Sequence, residues 1–149
     1  GMIVESSLIL GTPGETPATI EETLRLAKEY DADFMHFLLL APWPYADMYE
    51  QLKPYIEVWD YSKYNLVEPV IKPSAMTRDE LMTAVLKCYR EYYMRKLPEW
   101  VNMKGNDLKR SCLIRGMKAI VENSFLKNHM TGLGKMPDSV KSLIHCLEP

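Results

Sequence analysis

The run from Val4 to Thr16, VESSLILGTPGET, limits the possible folds more than any other stretch of the chain. Leu8-Ile9-Leu10 is an apolar run that stops at Gly11 and turns through Pro13-Gly14. Thr16 is a suitable N-cap and Pro17 a suitable first helical residue. From there Ile20, Leu24 and Ala27 recur at helical spacing as far as about Tyr30. Residues 3–11 therefore read as a largely buried strand that delivers a backbone loop to its C-terminal edge, as in parallel α/β proteins. After Asp31-Ala32-Asp33, the stretch Phe34 to Ala41 (FMHFLLLA) reads as a second strand, apolar enough to be covered on both faces. Strand, helix and strand make one β-α-β unit with an expected right-handed crossover. One such unit can neither close a barrel nor cover a sheet, so the chain reads as the end of a larger protein. Gly1 ahead of Met2 reads as an expression scar and fits that expectation.

Beyond Pro42-Trp43-Pro44 the pattern changes. A short helix is expected near Ala46–Leu52. Residues 53–75, broken by Pro54, Pro69 and Pro73, read as an extended connector carrying Tyr55, Trp59, Tyr61 and Tyr64. Thr77 and Glu80 form a capping box, with Met76 and Leu81 as a hydrophobic staple. They open a helix whose stripe Met82, Leu86, Tyr89, Tyr93 and Leu97 runs to Pro98, which should kink or end it. Another helix is expected from Gly105-Asn106-Asp107 to about Met130, and a last short one after Pro137. The expected organisation is an α/β piece over 1–52, a connector over 53–75 and an all-α domain over 76–149.

The chain of 149 residues can hold a core of its own. It has no apolar run of about 18 residues, the length a membrane span needs. Its start lacks the basic and apolar regions of a signal peptide. Cys88, Cys112 and Cys146 are far apart and without metal-ligand spacing, so reduced thiols in a cytoplasmic protein are expected, with Cys88 and Cys112 in the core. His36, His129 and His145 are equally scattered and build no local metal site. Residues 1–60 hold 3 basic and 11 acidic side chains, a net −8, and residues 87–135 hold 11 basic and 4 acidic, a net +7. Opposite halves of this kind can pair with each other or face an anionic partner. Nucleic acid is not expected, because no aromatic-basic platform accompanies the charge.

GTPGET lacks the Lys and Ser/Thr of a Walker loop and has one glycine too few for a dinucleotide fingerprint. Physically it is a tight turn of small residues above a helix N-terminus, able to approach an anionic ligand closely. A plain strand-to-helix turn explains it equally well. LILGTPGETPATIEET together with FLLLAPWPYADMYEQL resembles the last two strands of the partial (β/α) barrel in radical S-adenosylmethionine enzymes, in particular those with an N-terminal cobalamin-binding domain. The counterparts of the family's loops after its fifth and sixth strands are Gly11 to Thr16 and Pro42-Trp43-Pro44. Where many members continue with Gly-Thr, this chain has Tyr45-Ala46-Asp47.

The resemblance implies an α/β fragment, the last β-α-β unit of a partial TIM-type barrel, followed by an all-α C-terminal domain. It implies S-adenosylmethionine, a [4Fe–4S] cluster and cobalamin as cofactors of the full-length protein. None is expected on this chain alone, which lacks the family's CxxxCxxC and should be inactive in isolation. Gly11, Pro13, Gly14 and Glu15 would shape the end of the cofactor pocket, and Leu40 and Ala41 would meet adenine through their backbone. His36, Trp43 and Tyr45 are candidates for a substrate-facing surface, the substrate implied being a tetrapyrrole whose side chain is oxidised. Each has a plainer explanation: a hydrogen-bonded core histidine, a packing anchor, and for Glu15 a favourable charge at a helix N-terminus. Expected partners are the upstream barrel and cobalamin domain of the same polypeptide. The alternatives are a cobalamin-dependent radical methyltransferase and a non-catalytic helical module for subunit contact. In either case an unpaired strand edge and an apolar face should be met by self-association or by the chain's own helices.

Overall fold

A computed structural model describes residues 1–123. The elements run β1 (Glu5–Leu10), α1 (Pro17–Tyr30), β2 (Phe34–Leu39), α2 (Tyr49–Leu52), α3 (Arg78–Val101) and α4 (Asp107–Asn123), with single 3-10 turns at Lys53–Tyr55 and Tyr61–Lys63. Cys146, His129, His145 and the expected helix after Pro137 lie outside the described residues. The β1 and β2 strands pair in parallel, Glu5 opposite Phe34 and Leu10 opposite Leu39. The fold is thus α/β at its start and helical thereafter.

Local chemistry starts each helix where the sequence places it. Thr16 caps α1 and accepts the Thr19 N–H, while the Thr19 hydroxyl accepts the Thr16 N–H, a capping box that residue order alone did not pair. Asp31 ends α1 in the left-handed conformation, φ 52°, which a short polar side chain tolerates. Thr77 and Glu80 make the expected box on α3. Pro98 does not end α3, which continues to Val101. A proline this close to the C-terminus removes one backbone bond, and the Pro98 carbonyl still accepts the Asn102 N–H at 3.1 Å.

One face of the sheet is covered. Leu10, Met35, Phe37 and Leu39 are buried against α1 and α3 in a core that includes Leu24, Ala27, Leu81, Val85, Tyr89, Tyr92 and Trp100. Among the described residues β2 is covered on one face, where its apolar run suggests two, and β1 is less buried than its run suggests. Ser7 is exposed, Ile9 is 60% exposed, and His36 and Leu38 are half-buried. On that side Phe34 packs against Trp100 at a ring-centroid distance of 5.4 Å and against Gly116. The helix α4 contributes Leu113 and Met117 to the core but leaves Cys112 exposed, against expectation, because it falls off that stripe. Cys88 is buried, and burial pushes its thiol up to about 12.

Helix α3 also finishes the sheet. The carbonyls of Val4 and Leu10 accept from Phe34 and Leu40, so strand alternation turns the main chain of residues 35, 37 and 39 away from β1. Those groups meet side chains and a loop. Tyr93 accepts the Met35 N–H at 3.0 Å and donates to the Met35 carbonyl at 2.9 Å. Tyr89 accepts the Phe37 N–H at 3.1 Å, and the Leu66 carbonyl accepts the Leu39 N–H at 2.8 Å. Tyr92 donates to the Ala32 carbonyl. Ion pairs between the oppositely charged halves add to the docking: Lys87 with Glu21, Arg95 and Lys96 with Asp31, and Lys109 with Asp33 at 2.8 Å.

Two outcomes follow from this packing. Burial pushes the Tyr89 hydroxyl from 10.0 up to about 12 and Tyr93 further in the same direction. Folding therefore favours the neutral phenols. Their contribution is complete below pH 10 and is lost as pH rises through about 12, because the unfolded chain ionises first. The loss for Tyr89 is of the order of 2–3 kcal/mol. Urea midpoints measured from pH 8 to 12 should fall above pH 10, and Tyr89→Phe should flatten that fall. The second concerns Gly116, where an added Cβ would meet Phe34 Cζ at 2.8 Å. Gly116→Ala, which would stabilise an exposed helix by about 1 kcal/mol, should instead destabilise this one by about 1–2 kcal/mol in the same assay.

Candidate functional site

Both strands end at the same edge, so the Gly11–Thr16 turn and the Leu40–Pro44 segment are neighbours. The Leu40 N–H donates to the Leu10 carbonyl at 2.9 Å and ties the two strand ends together. Gly11 has φ +83°, and a Cβ there would lie 3.0 Å from Leu81 and 3.3 Å from Leu39. Both the conformation and the close approach of α3 call for glycine. Gly14 is different, with open space where a Cβ would stand.

Glu15 is turned inward. Its side chain accepts the Gly11 N–H at 3.0 Å and the Thr19 hydroxyl, and the residue is 6% exposed. The Glu15 N–H donates to the Thr12 carbonyl at 2.9 Å, and the Pro13 carbonyl accepts the Ser74 N–H at 3.0 Å. The carboxylate thus acts as an internal brace of the loop. Gly14 is exposed at its surface and Pro13 is half-buried. Of the other candidates, Ala41 is buried and Leu40 half-buried.

The tentative substrate residues separate into two places. His36 lies on the open sheet face opposite Ser7, its Nε2 2.9 Å from Glu5 Oε1 near the start of β1. Trp43 and Tyr45 stand beyond the end of β2, their rings parallel within 14° and 6.1 Å apart. Trp43 continues to Tyr64 at 5.7 Å, and Tyr64 to Tyr61 at 5.0 Å. Tyr61 and Tyr64 come from the segment the sequence presented as a connector. Tyr64, Val70 and Ile71 of that segment are buried together with Ala41 and Leu52 in a second small core. It is held by an Ile56–Ile71 bridge and by the Glu57 and Lys72 N–H groups bonding across it. The density of aromatic residues between its prolines is the one sequence signal of this core.

Among the described residues no three His, Cys, Asp or Glu side chains are grouped to hold a metal, and Cys88 and Cys112 sit on different helices. These residues do not fit an iron–sulfur cluster. No helix among the described residues is long and apolar enough to cross a membrane.

A parallel strand pair joined through a helix, with its two loops meeting at one edge and α3 across one face, is a β-α-β unit of the α/β class. Comparison with known proteins goes further. The chain is 36% identical over 121 residues, 81% of its length, to the anaerobic magnesium-protoporphyrin IX monomethyl ester cyclase of Cereibacter sphaeroides. It is 34% identical over 125 residues, 84% of its length, to the cyclase of the same name from Rubrivivax gelatinosus. The chain is thus homologous to a segment of these cyclases, spanning 20% and 22% of their lengths. An uncharacterized methyltransferase of Pyrococcus horikoshii is 28% identical over 97 residues, 64% of the chain and 21% of that protein. No family model and no solved structure matches.

The loop's brace is testable in the isolated chain. Glu15→Ala leaves the Gly11 amide without its buried partner and should cost about 1–3 kcal/mol. Gly11→Ala combines an unfavourable φ with crowding against Leu81 and should cost a similar amount, about 1–3 kcal/mol. Urea denaturation of both variants checks this. A midpoint unchanged by Glu15→Ala would show that the carboxylate does not hold the loop.

Proposed function

We propose that this chain is the closing piece of a radical S-adenosylmethionine oxidoreductase of the anaerobic magnesium-protoporphyrin cyclase type. In this reading β1 and β2 are the last two strands of a partial barrel whose preceding strands, cluster and cobalamin domain belong to the same, longer polypeptide. The observation that carries it is the asymmetry of the sheet. The outer edge of β2 is satisfied by Tyr93, Tyr89 and Leu66, while strand alternation leaves the main chain of Glu5, Ser7 and Ile9 facing away from β2. The open face bearing Ser7, Ile9, His36 and Leu38 would then look into the barrel.

Bound S-adenosylmethionine supplies radical-initiating chemistry in this family. The residues of this chain shape and orient. Gly11 to Gly14 form a close wall because Glu15 fixes the turn from below. Leu40 and Ala41 offer main chain at the strand end, and α3 excludes water from the covered face. No step passes through the cluster, whose ligands these residues do not provide, and the isolated chain is expected to be inactive.

A cobalamin-dependent methyltransferase is the second reading, favoured by the similarity to the Pyrococcus horikoshii methyltransferase. The full gene separates these possibilities. It should encode CxxxCxxC upstream of β1, and the reconstituted product should close a ring on the porphyrin ester. Methyl transfer without ring closure would establish the second reading, and a gene without the cysteine motif would exclude both.

A further inference from the structure

Helix α4 meets the strands at the end opposite the Gly11 and Leu40 turns. Its Lys109 pairs with Asp33 Oδ2 at 2.8 Å, and the same oxygen accepts the Val4 N–H at 2.8 Å. Asp33 is 7% exposed and directly precedes β2, so it holds the start of both strands and the first turn of α4 together. The Asn106 side chain accepts the Lys109 N–H at 3.1 Å and fixes where that turn begins. Two turns further on, Gly116 brings the α4 backbone against the Phe34 ring, and Leu113 and Met117 beside it are buried in the core that holds Trp100.

Phe34 is the informative contact. Strand alternation puts it on the open face with His36 and Leu38, away from the face that carries Met35, Phe37 and Leu39. A helix that only thickened the covered layer would have no reason to reach this ring. Glycine weakens a helix at its centre, and its place here is explained by the close approach it permits. The fastening beside it is enclosed as well, the Lys109 and Asp33 side chains being 19% and 10% exposed. Salt screens such a pair little, and removing Lys109 would leave the Asp33 carboxylate buried without its cation.

Resting on the functional reading above, we infer that α4 is the floor of the interior that the open face lines, fastened by the Asp33–Lys109 pair and the Phe34–Gly116 contact. It closes the N-terminal end of the barrel, so that a ligand enters and leaves past the Gly11 and Leu40 turns. Closing one end keeps bulk water out and a reactive intermediate from side reactions. Asp33, Lys109 and Gly116 are positioning residues, set at the end of the sheet remote from those turns.

Thiol labelling of the full polypeptide, followed peptide by peptide by mass spectrometry, tests this. Glu5→Cys puts a probe at the floor end of the open face and Ile9→Cys one at the mouth. Both positions are open in the chain by itself, the Glu5 side chain 66% and Ile9 60% exposed. In the full polypeptide the probe at position 5 should react at least about tenfold more slowly than in the 149-residue chain. Lys109→Ala and Gly116→Ala should each speed that reaction about fivefold or more, while the probe at position 9 stays within about twofold. Lys109→Arg, which keeps the cation, should keep the slow rate. A probe at position 5 that stays slow in both variants would overturn the floor and leave the barrel reading standing. Equal acceleration at both positions would also overturn it, since α4 would then hold the sheet together and not close its end. If both probes react as fast in the full polypeptide as in the chain alone, the open face is not enclosed and the barrel reading falls, taking the floor with it.

Discussion

Tyr93 accepts the Met35 N–H and donates to the Met35 carbonyl, so one side chain satisfies both main-chain groups that a further strand would take. An exposed parallel edge would leave these groups to water or to another chain. In this fold they are buried, where an unmet partner costs on the order of 1–3 kcal/mol. Tyr89 accepts the Phe37 N–H one helical turn earlier, so tyrosines four residues apart on α3 match residues two apart on β2. The same packing sets T-shaped contacts of Phe37 with Tyr89 and Tyr92, and draws α3 across the face that bears Leu10 and Leu39.

The closure extends beyond α3. At the C-terminal end of β2 the tyrosines give way to Leu66, whose carbonyl takes the Leu39 N–H. Leu66 adopts φ 64°, a conformation that non-glycine residues hold only when their surroundings impose it. Asn65 helps to impose it, its side chain accepting the Val67 and Glu68 N–H groups at 3.0 Å. The connector is therefore a structural partner of the sheet, and the aromatic row rises from that partner. The Gly11 turn depends on α3 as well, since Leu81 packs where a Cβ would be. Edge, loop and aromatic row are positioned by one helix and one segment of connector.

Much of this was legible in residue order. Thr16-Pro17, Thr77 with Glu80, and the apolar spacing of Ile20, Leu24 and Ala27 mark helices by local rules, and the helices stand there. Tyr89 and Tyr93 lie on the apolar stripe of α3 and do pack. Their hydroxyls could not be read, because a hydrogen bond across more than 50 residues leaves no local pattern. The apolar content of FMHFLLLA suggested two covered faces, yet only the face of Met35, Phe37 and Leu39 is covered among the described residues. Hydrophobicity signals that a face will be covered but not which chain covers it. Glu15 reads from the sequence as part of a cofactor-pocket wall or as a helix-terminal charge; its inward reach to the Gly11 N–H leaves no mark in residue order. The connector between the prolines had no period to read, so its small core emerged only from the fold.

Residue-resolved amide hydrogen exchange on the chain tests the central claim most directly, namely that among the described residues the sheet is sealed at β2 and open at β1. The Met35, Phe37 and Leu39 amides should exchange slowly, as members of the stable core, while the Ser7 and Ile9 amides exchange at rates near those of an open edge. Tyr93→Phe should release Met35 selectively. Equal protection of Ser7 and Met35 in the monomeric chain, or a Met35 amide indifferent to Tyr93→Phe, would contradict the account.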